Sequence, residues 1–142
     1  MGLTYANIEL INEQDLLDAK RHTIGEEEIR KCNSNMLVDT GAIMLFINES
    51  MQEVLQLPFI GNKLSTTATG ERVSLPMVGP VRVQFNDRHT NCDALILPGD
   101  SEPLLGAIPL EAMDLMVNPT SQTLGGNPKH GGEWMFTLKG IR

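Results

Sequence analysis

One aspartate, Asp39, has the sequence surroundings of an acid that does chemistry. It directly follows the apolar residues 36–38 and directly precedes Thr40 and Gly41. A carboxylate beside buried residues is costly to desolvate unless hydrogen-bond donors or a proton-sharing partner stabilise it. The Thr40 hydroxyl can donate, and Gly41, which has no Cβ, lets backbone amides come close. The sequence therefore predicts a tight turn that holds a carboxylate.

By itself an Asp-Thr-Gly tripeptide is a weak signal, because Asp and Gly are common turn residues. Its context strengthens it. A second apolar segment, Leu104-Leu105-Gly106-Ala107-Ile108-Pro109, lies far downstream, and its Gly106 would allow close packing beside the Asp39 turn. The two segments together resemble the retropepsin-like aspartic proteases, most closely the small single-domain bacterial members. The resemblance extends from about residue 3 to about residue 124 and includes Val78-Gly79-Pro80-Val81.

The resemblance implies an all-β fold: a retropepsin-like acid protease barrel with one or two short helices and one lobe per chain. We expect the protease domain to cover residues 1–124. A Gly-rich linker and C-terminal tail would then occupy residues 125–142. In the tail, residues 134–138 form a last apolar segment, which the sequence leaves open as a docked strand or a partner-binding tail.

Hydrophobic periodicity predicts the elements that must position the turn. The predicted strands cover residues 3–11, 29–38, 43–47, 64–69, 72–75, 78–85, 90–97 and 104–106. One helical turn is expected within residues 15–20. A short helix is predicted from Ser50, which has capping-box spacing to Glu53, with Met51, Val54 and Leu55 on one face. A second is predicted to open at Pro109.

The predicted hairpin over residues 64–75 turns at Gly70. By resemblance it is the flap that closes over bound peptide, excludes water and positions the substrate, with Thr69 and Gly70 in contact with it. An ordinary surface hairpin is the alternative. The Gly-rich flap tip of the viral relatives is reduced here to Gly70, which bears on how the flap closes.

Acid–base hydrolysis of a peptide bond needs two carboxyl groups, one ionised and one protonated. The chain has one Asp-Thr-Gly, so the second carboxyl must come from another copy related by a two-fold axis. The resemblance assigns the catalytic role to Asp39, Thr40 and Gly41 of a homodimer. It implies a water nucleophile and neither cofactor nor metal.

By the same resemblance, substrate contacts fall on residues near the turn: Ala42, Ile43, Met44 and Ile108. Viral relatives often carry acidic residues after Asp-Thr-Gly-Ala, whereas Ile43 and Met44 are apolar here. We therefore expect apolar subsites and a peptide or unfolded protein as substrate. Ala107 replaces the usual Arg or Asn, so an ion-pair network at the subunit interface is expected to be missing.

Composition excludes several other functions. Eleven basic and 18 acidic residues give a net charge of -7, which is not that of a nucleic-acid binder. Cys32 and Cys92 have no metal-ligand spacing, and the three histidines lie near no nucleophile motif. No signal peptide or membrane span is evident, so we expect a cytoplasmic protein without membrane contact.

Two functions agree with these observations. The first is a homodimeric aspartic endopeptidase. The second is a catalytically inert module of the same fold that dimerises or binds peptides. The intact Asp-Thr-Gly favours the enzyme, and the reduced flap favours the inert module.

Overall fold

The computed structural model describes residues 2–138, within which nine strands, three α-helices and two short 3-10 helices form. In chain order they are β1 (Tyr5–Asn12), α1 (Glu13–Lys20), a 3-10 helix (Glu26–Glu28), β2 (Lys31–Val38), β3 (Leu45–Asn48), α2 (Glu49–Leu55), β4 (Phe59–Thr66), β5 (Arg72–Phe85), β6 (Arg88–Leu97), β7 (Leu104–Leu105), α3 (Ala107–Ala112), β8 (Leu115–Asn118), β9 (Thr123–Gly126) and a 3-10 helix (Pro128–His130).

The main sheet has the strand order β1-β2-β7-β3-β6-β5-β4, and β1 also pairs with β5. This extra pairing joins the two sides of the sheet and closes it into a barrel, with β4 added outside on the first half of β5. The predicted all-β fold is confirmed, with three short α-helices in the described residues where one or two were expected.

Alternation along the strands builds the core, because successive side chains point to opposite faces of a sheet. The inward-facing side chains are fully or almost fully buried, and each contributes roughly 1.5–3 kcal/mol on burial. They include Ile8, Leu10, Met36, Leu45, Ile47, Val78, Val81 and Val83, with Leu55 and Met113 from the helical segments.

Strand β3 begins at Leu45, two residues later than predicted, because residues 39–44 belong to the turn that holds Asp39. Ile43 is therefore outside the strand. The cap of α2 was also predicted wrongly. Asn48, not Ser50, caps this helix by accepting a 2.9 Å hydrogen bond from the Met51 amide. Val54 is exposed rather than on the buried face.

Strand β5 is one strand of 14 residues where the sequence predicted two. A register shift between Val78 and Val81 lets its first part pair with β4 and its second with β1. Helix α3 starts at Ala107, so Pro109 is its third residue rather than its first. There too a missing N–H costs nothing, since the first amides of a helix have no intrahelical partner.

The chain after α3 is more ordered than predicted. Thr123–Gly126 form strand β9, antiparallel to β8, where we expected turns and a linker. This strand crosses residue 124, the predicted end of the protease domain, and the division of the chain there stays a prediction. Residues 134–138 form no strand, so the docked-strand alternative was wrong. Residues 139–142 of the predicted tail lie outside the described residues.

Among the described helices, none has the length and apolarity needed to cross a bilayer. The cytoplasmic localisation stays a prediction.

Candidate active site

The pairing of β2 with β7 places Asp39 at the surface of the barrel. The two strands are parallel, with Leu37 opposite Leu104 and Val38 opposite Leu105. The Asp39 amide continues this ladder by donating a 3.0 Å hydrogen bond to the carbonyl oxygen of Leu105. The backbone of Asp39 is thus fixed by a strand that lies more than 60 residues later in the chain.

The residues after Asp39 form the predicted tight turn. The Gly41 amide donates to Asp39 Oδ1 at 3.0 Å, and the Ala42 amide donates to the Asp39 carbonyl oxygen at 3.1 Å. Further along, the amides of Ala107 and Ile108 donate to the carbonyl oxygens of Ala42 and Ile43 at 2.8 and 2.9 Å. The turn is therefore fastened at one end to β7 and at the other to the start of α3.

Gly106 makes this double attachment possible. A Cβ at this position would overlap the carbonyl oxygen of Met44 and lie 2.8 Å from that of Ala42. Both neighbours are backbone atoms, which cannot rotate away. The predicted close packing of Gly106 beside the Asp39 turn is confirmed, and it requires glycine.

The Asp39 carboxylate is left open. It is half-buried, and Thr40 and Gly41 beside it are exposed. Within residues 2–138, Asp39 Oδ2 accepts no hydrogen bond and the Thr40 hydroxyl has no side-chain or backbone partner. An acid held by its backbone but with one oxygen free can bind water or share a proton with a second acid.

The predicted substrate-contact residues fall into two groups. Ala42, Ile43, Met44 and Ile108 are brought together by the backbone bonds between the turn and α3. Ile43 and Ile108 expose 67% and 44% of their surface, which gives the turn an apolar rim. Their contact with substrate stays a prediction.

Thr69 and Gly70 form the second group, at the tip of the predicted hairpin. The hairpin is present and longer than predicted, because β4 and β5 pair from Phe59 to Thr66. Gly70 takes a φ of +85°, a conformation that favours glycine, and its amide donates to the Thr67 carbonyl oxygen at 2.9 Å. In the described part of the chain no hydrogen bond joins this tip to the Asp39 turn.

A shallow depression of about 280 Å³ borders the Asp39 turn. Its lining is Thr40, Ala107, Leu110, Glu111, Leu115, Met116 and Val117. No strand was predicted over β8, so its contribution to this depression was missed. Residues 115–117 are all apolar and show no alternation, so the signal that could have found the strand is a short apolar run that ends at the turn residues Asn118 and Pro119.

The described residues contain no group of three or more His, Cys, Asp or Glu side chains placed to hold a metal ion. Burial raises the pKa of the Cys92 thiol to about 12, with a smaller contribution from the Asp93 carboxylate. Burial also raises the pKa of Cys32. Neither thiol is therefore a ready nucleophile, since the thiolate is the reactive form.

Three features define a retropepsin-like protein: the closed barrel, the Asp-Thr-Gly turn fixed by β7, and the hairpin formed by β4 and β5. By its sequence the chain also belongs to a protein family of this class. The model of the family described as aspartyl protease matches residues 23–108, from before β2 to the start of α3. This match includes Asp39, the hairpin and Gly106, and it supports a protease-type function. A search of curated proteins gave no significant match.

Proposed function

We propose that the protein is a homodimeric aspartic endopeptidase in which each subunit contributes one Asp39. The observation that carries the proposal is the state of this side chain. The Asp39 amide donates a hydrogen bond to the Leu105 carbonyl oxygen, and one carboxylate oxygen accepts a hydrogen bond from the Gly41 amide. The other carboxylate oxygen has no hydrogen-bond partner among the described residues. This arrangement preorganises an acid for a partner that the single chain does not supply.

The chemistry requires two such acids within hydrogen-bond distance, because like charges so close cannot both ionise and the pair retains one proton. The ionised carboxylate takes a proton from a water molecule while the protonated one polarises the peptide carbonyl. Attack by water gives a tetrahedral intermediate. The C–N bond then breaks as a carboxyl proton passes to the leaving nitrogen, which restores the shared-proton pair.

The exposure of Thr40 and Gly41 supports the two-fold arrangement. Both residues lie at the outer end of the turn, where the same turn of a second copy could approach. In that geometry the Thr40 hydroxyl is a donor with no competing partner in its own described chain. The family resemblance assigns it the role of bracing the two turns against each other.

The exposed apolar rim supports an extended peptide with apolar side chains beside the cleaved bond. Ile43 and Ile108 lie next to each other at the edge of the turn, and the β4–β5 hairpin is the element that would cover the peptide. A peptide library with charged residues preferred at these positions would contradict this part of the proposal.

The proposal is tested by mixing subunits. Wild type and Asp39→Asn are equilibrated at several ratios and fixed total concentration, and hydrolysis of an unfolded protein is measured near pH 5. If both carboxylates of a dimer are required, activity follows the square of the wild-type fraction, so an equal mixture retains about one quarter of the activity. Catalysis by single chains would retain about one half.

Asp87→Asn is the matched control, since Asp87 is exposed in the turn between β5 and β6. It should keep full activity alone and in mixtures. Asp39→Asn alone should lose about 10²–10⁴-fold, the usual range for removing acid–base catalysis. Folded dimers of wild type that cut nothing would refute the enzyme and point to a binding module.

A further inference from the structure

The last described residues, 134–138, form a mostly apolar segment that we call the strap. They adopt neither helix nor strand. Phe136 and Leu138 expose 63% and 72% of their surface. Large exposed apolar side chains on a backbone outside helix and strand are the features that a protease cleft of the proposed kind would bind.

The strap is attached to the barrel only at its first two residues. The Trp134 indole N–H donates to the Ala112 carbonyl oxygen at 3.1 Å, and its ring meets His89 edge-on. The Met135 amide donates to Asp114 Oδ2 at 3.3 Å. From Phe136 to the end of the described chain, the backbone makes no hydrogen bond to any described residue, so only the edge-on contact of the Phe136 ring with Trp134 would be lost when another molecule binds.

We propose that the strap is a substrate of this protein, cleaved between Met135 and Phe136 by the active site of another dimer. The inference rests on the proposed function. In the reaction, water adds to the Met135 carbonyl carbon, the C–N bond to Phe136 breaks, and a proton passes to the Phe136 nitrogen. The products are a chain that ends at Met135 and a fragment that begins at Phe136.

The geometry selects this bond over its neighbours. The N–H of the Trp134–Met135 peptide bond is the one engaged by Asp114, so this bond is held against the barrel. The Phe136–Thr137 bond has a polar side chain on one side. Only the Met135–Phe136 bond has apolar residues on both sides and free amide groups from there onward, which suits subsites built from Ile43 and Ile108.

The chain contains an internal comparison in Phe59 and Ile60, an adjacent pair that is also exposed, at 64% and 47%. These residues lie in strand β4, with Phe59 opposite Val78 of β5. Cleavage there would require β4 to leave the sheet and lose its ladder of hydrogen bonds. Exposure and apolarity are therefore similar at the two pairs, and backbone pairing distinguishes them.

Charge favours the encounter between the strap of one molecule and the body of another. Residues 128–142 contain three basic residues and one acidic residue, for a net charge of +2, so residues 1–127 carry -9. A positive segment is attracted to a second, negative body before specific contacts form, and this attraction weakens as salt is added.

The test follows the intact mass of the full chain at high concentration near pH 5. A species that ends at Met135 should accumulate in wild type, and Asp39→Asn alone should stay intact. Isotopically labelled Asp39→Asn chain mixed with wild type should be cut, because the reaction occurs between molecules. The Phe59–Ile60 bond should stay intact over the same time.

Two variants isolate the strap from the active site. Phe136→Lys places a charge beside the proposed bond and should slow strap cleavage at least about tenfold, with hydrolysis of an unfolded protein unchanged. Leu138→Lys is the matched control, because it adds the same charge at an equally exposed position two residues away. It should change strap cleavage by less than about threefold.

The outcomes separate the two proposals. A wild-type protein that hydrolyses unfolded protein but keeps an intact strap refutes this inference and leaves the proposed function standing. Cleavage at Phe59–Ile60 as fast as at the strap also refutes it, since backbone pairing would then not select the site. If neither the unfolded protein nor the strap is cut, both proposals fail.

Discussion

Two aspartates of this protein, Asp39 and Asp114, are held in opposite ways. Asp39 has a backbone fixed on both sides of the turn and a carboxylate with one intrachain donor, the Gly41 amide. Asp114 has a carboxylate that accepts three hydrogen bonds, from His130 Nδ1 at 2.6 Å, Asn127 Nδ2 at 3.2 Å and the Met135 amide at 3.3 Å. Among the described residues, Asp39 keeps one carboxylate oxygen without a hydrogen-bond donor, whereas both carboxylate oxygens of Asp114 accept hydrogen bonds.

The region around Asp114 forms what we call the clasp, made of Arg88, Asp114, Asn127 and His130. The buried Arg88 guanidinium donates to the carbonyl oxygens of Met113 and Asp114 at 2.8 Å and to that of Gly132. The clasp thus joins the start of β6, the end of α3 and the segment that leads to the strap. A saturated carboxylate stabilises structure, whereas a reactive one needs free acceptor positions.

The largest effect that tests this contrast is expected where Gly106 packs on the Asp39 turn, and it involves no carboxylate. Gly106→Ala should destabilise the fold by about 3 kcal/mol or more, because its Cβ meets backbone carbonyls that cannot move aside. Urea unfolding measures the change. Gly61→Ala, in strand β4 and with nothing within 4 Å of the added Cβ, should be close to neutral. Equal stability of the two variants would show that the turn tolerates displacement.

The next effect concerns the clasp. Arg88→Met keeps the length of the side chain but leaves the Met113, Asp114 and Gly132 carbonyl oxygens without this donor, at a cost of about 2–4 kcal/mol. Denaturant unfolding should show the loss. The exposed Arg72 on β5 supplies the control, since Arg72→Met should change stability by less than about 0.5 kcal/mol. A neutral Arg88→Met would mean that the clasp does not hold the C-terminal segment.

A smaller effect compares the two acids directly at about pH 6. Asp114→Asn should lower the melting temperature by about 5 °C, because the carboxylate that accepts from His130 and from two further donors is lost. Asp39→Asn should leave the melting temperature within about 2 °C, since an amide oxygen can still accept from Gly41. Scanning calorimetry decides the order, and the reverse order would overturn the contrast between a structural and a reactive acid.

The smallest effect is a pH dependence. The hydrogen bond from His130, assisted by those from Asn127 and Met135, holds the pKa of Asp114 below its usual value. A carboxyl with a lowered pKa in the folded state adds stability above its unfolded pKa of about 3.9 and loses it as pH falls through the folded pKa. The difference in melting temperature between wild type and Asp114→Asn should therefore shrink from about pH 6 to about pH 2.5. A constant difference would assign the effect of the substitution to something other than charge.

Part of the fold could be predicted from local pattern. Alternation identified most strands, and the Asp-Thr-Gly turn and the hairpin at Gly70 were found from turn chemistry. The predictions were wrong where a local sequence rule allowed more than one structure. Both Asn48 and Ser50 can cap a helix, and in the structure Asn48 caps α2. Ile43 belongs to an apolar run, yet the turn uses its backbone and leaves its side chain exposed.

The sequence by itself determined the class of fold and the single Asp-Thr-Gly turn. Each depends on a residue type and its immediate neighbours. The tertiary structure alone decided that Leu105 fixes Asp39, that β9 pairs with β8, and that Arg88 and Asp114 clasp the C-terminal segment. These contacts join residues far apart in the chain, and local periodicity does not encode which distant backbone groups will meet.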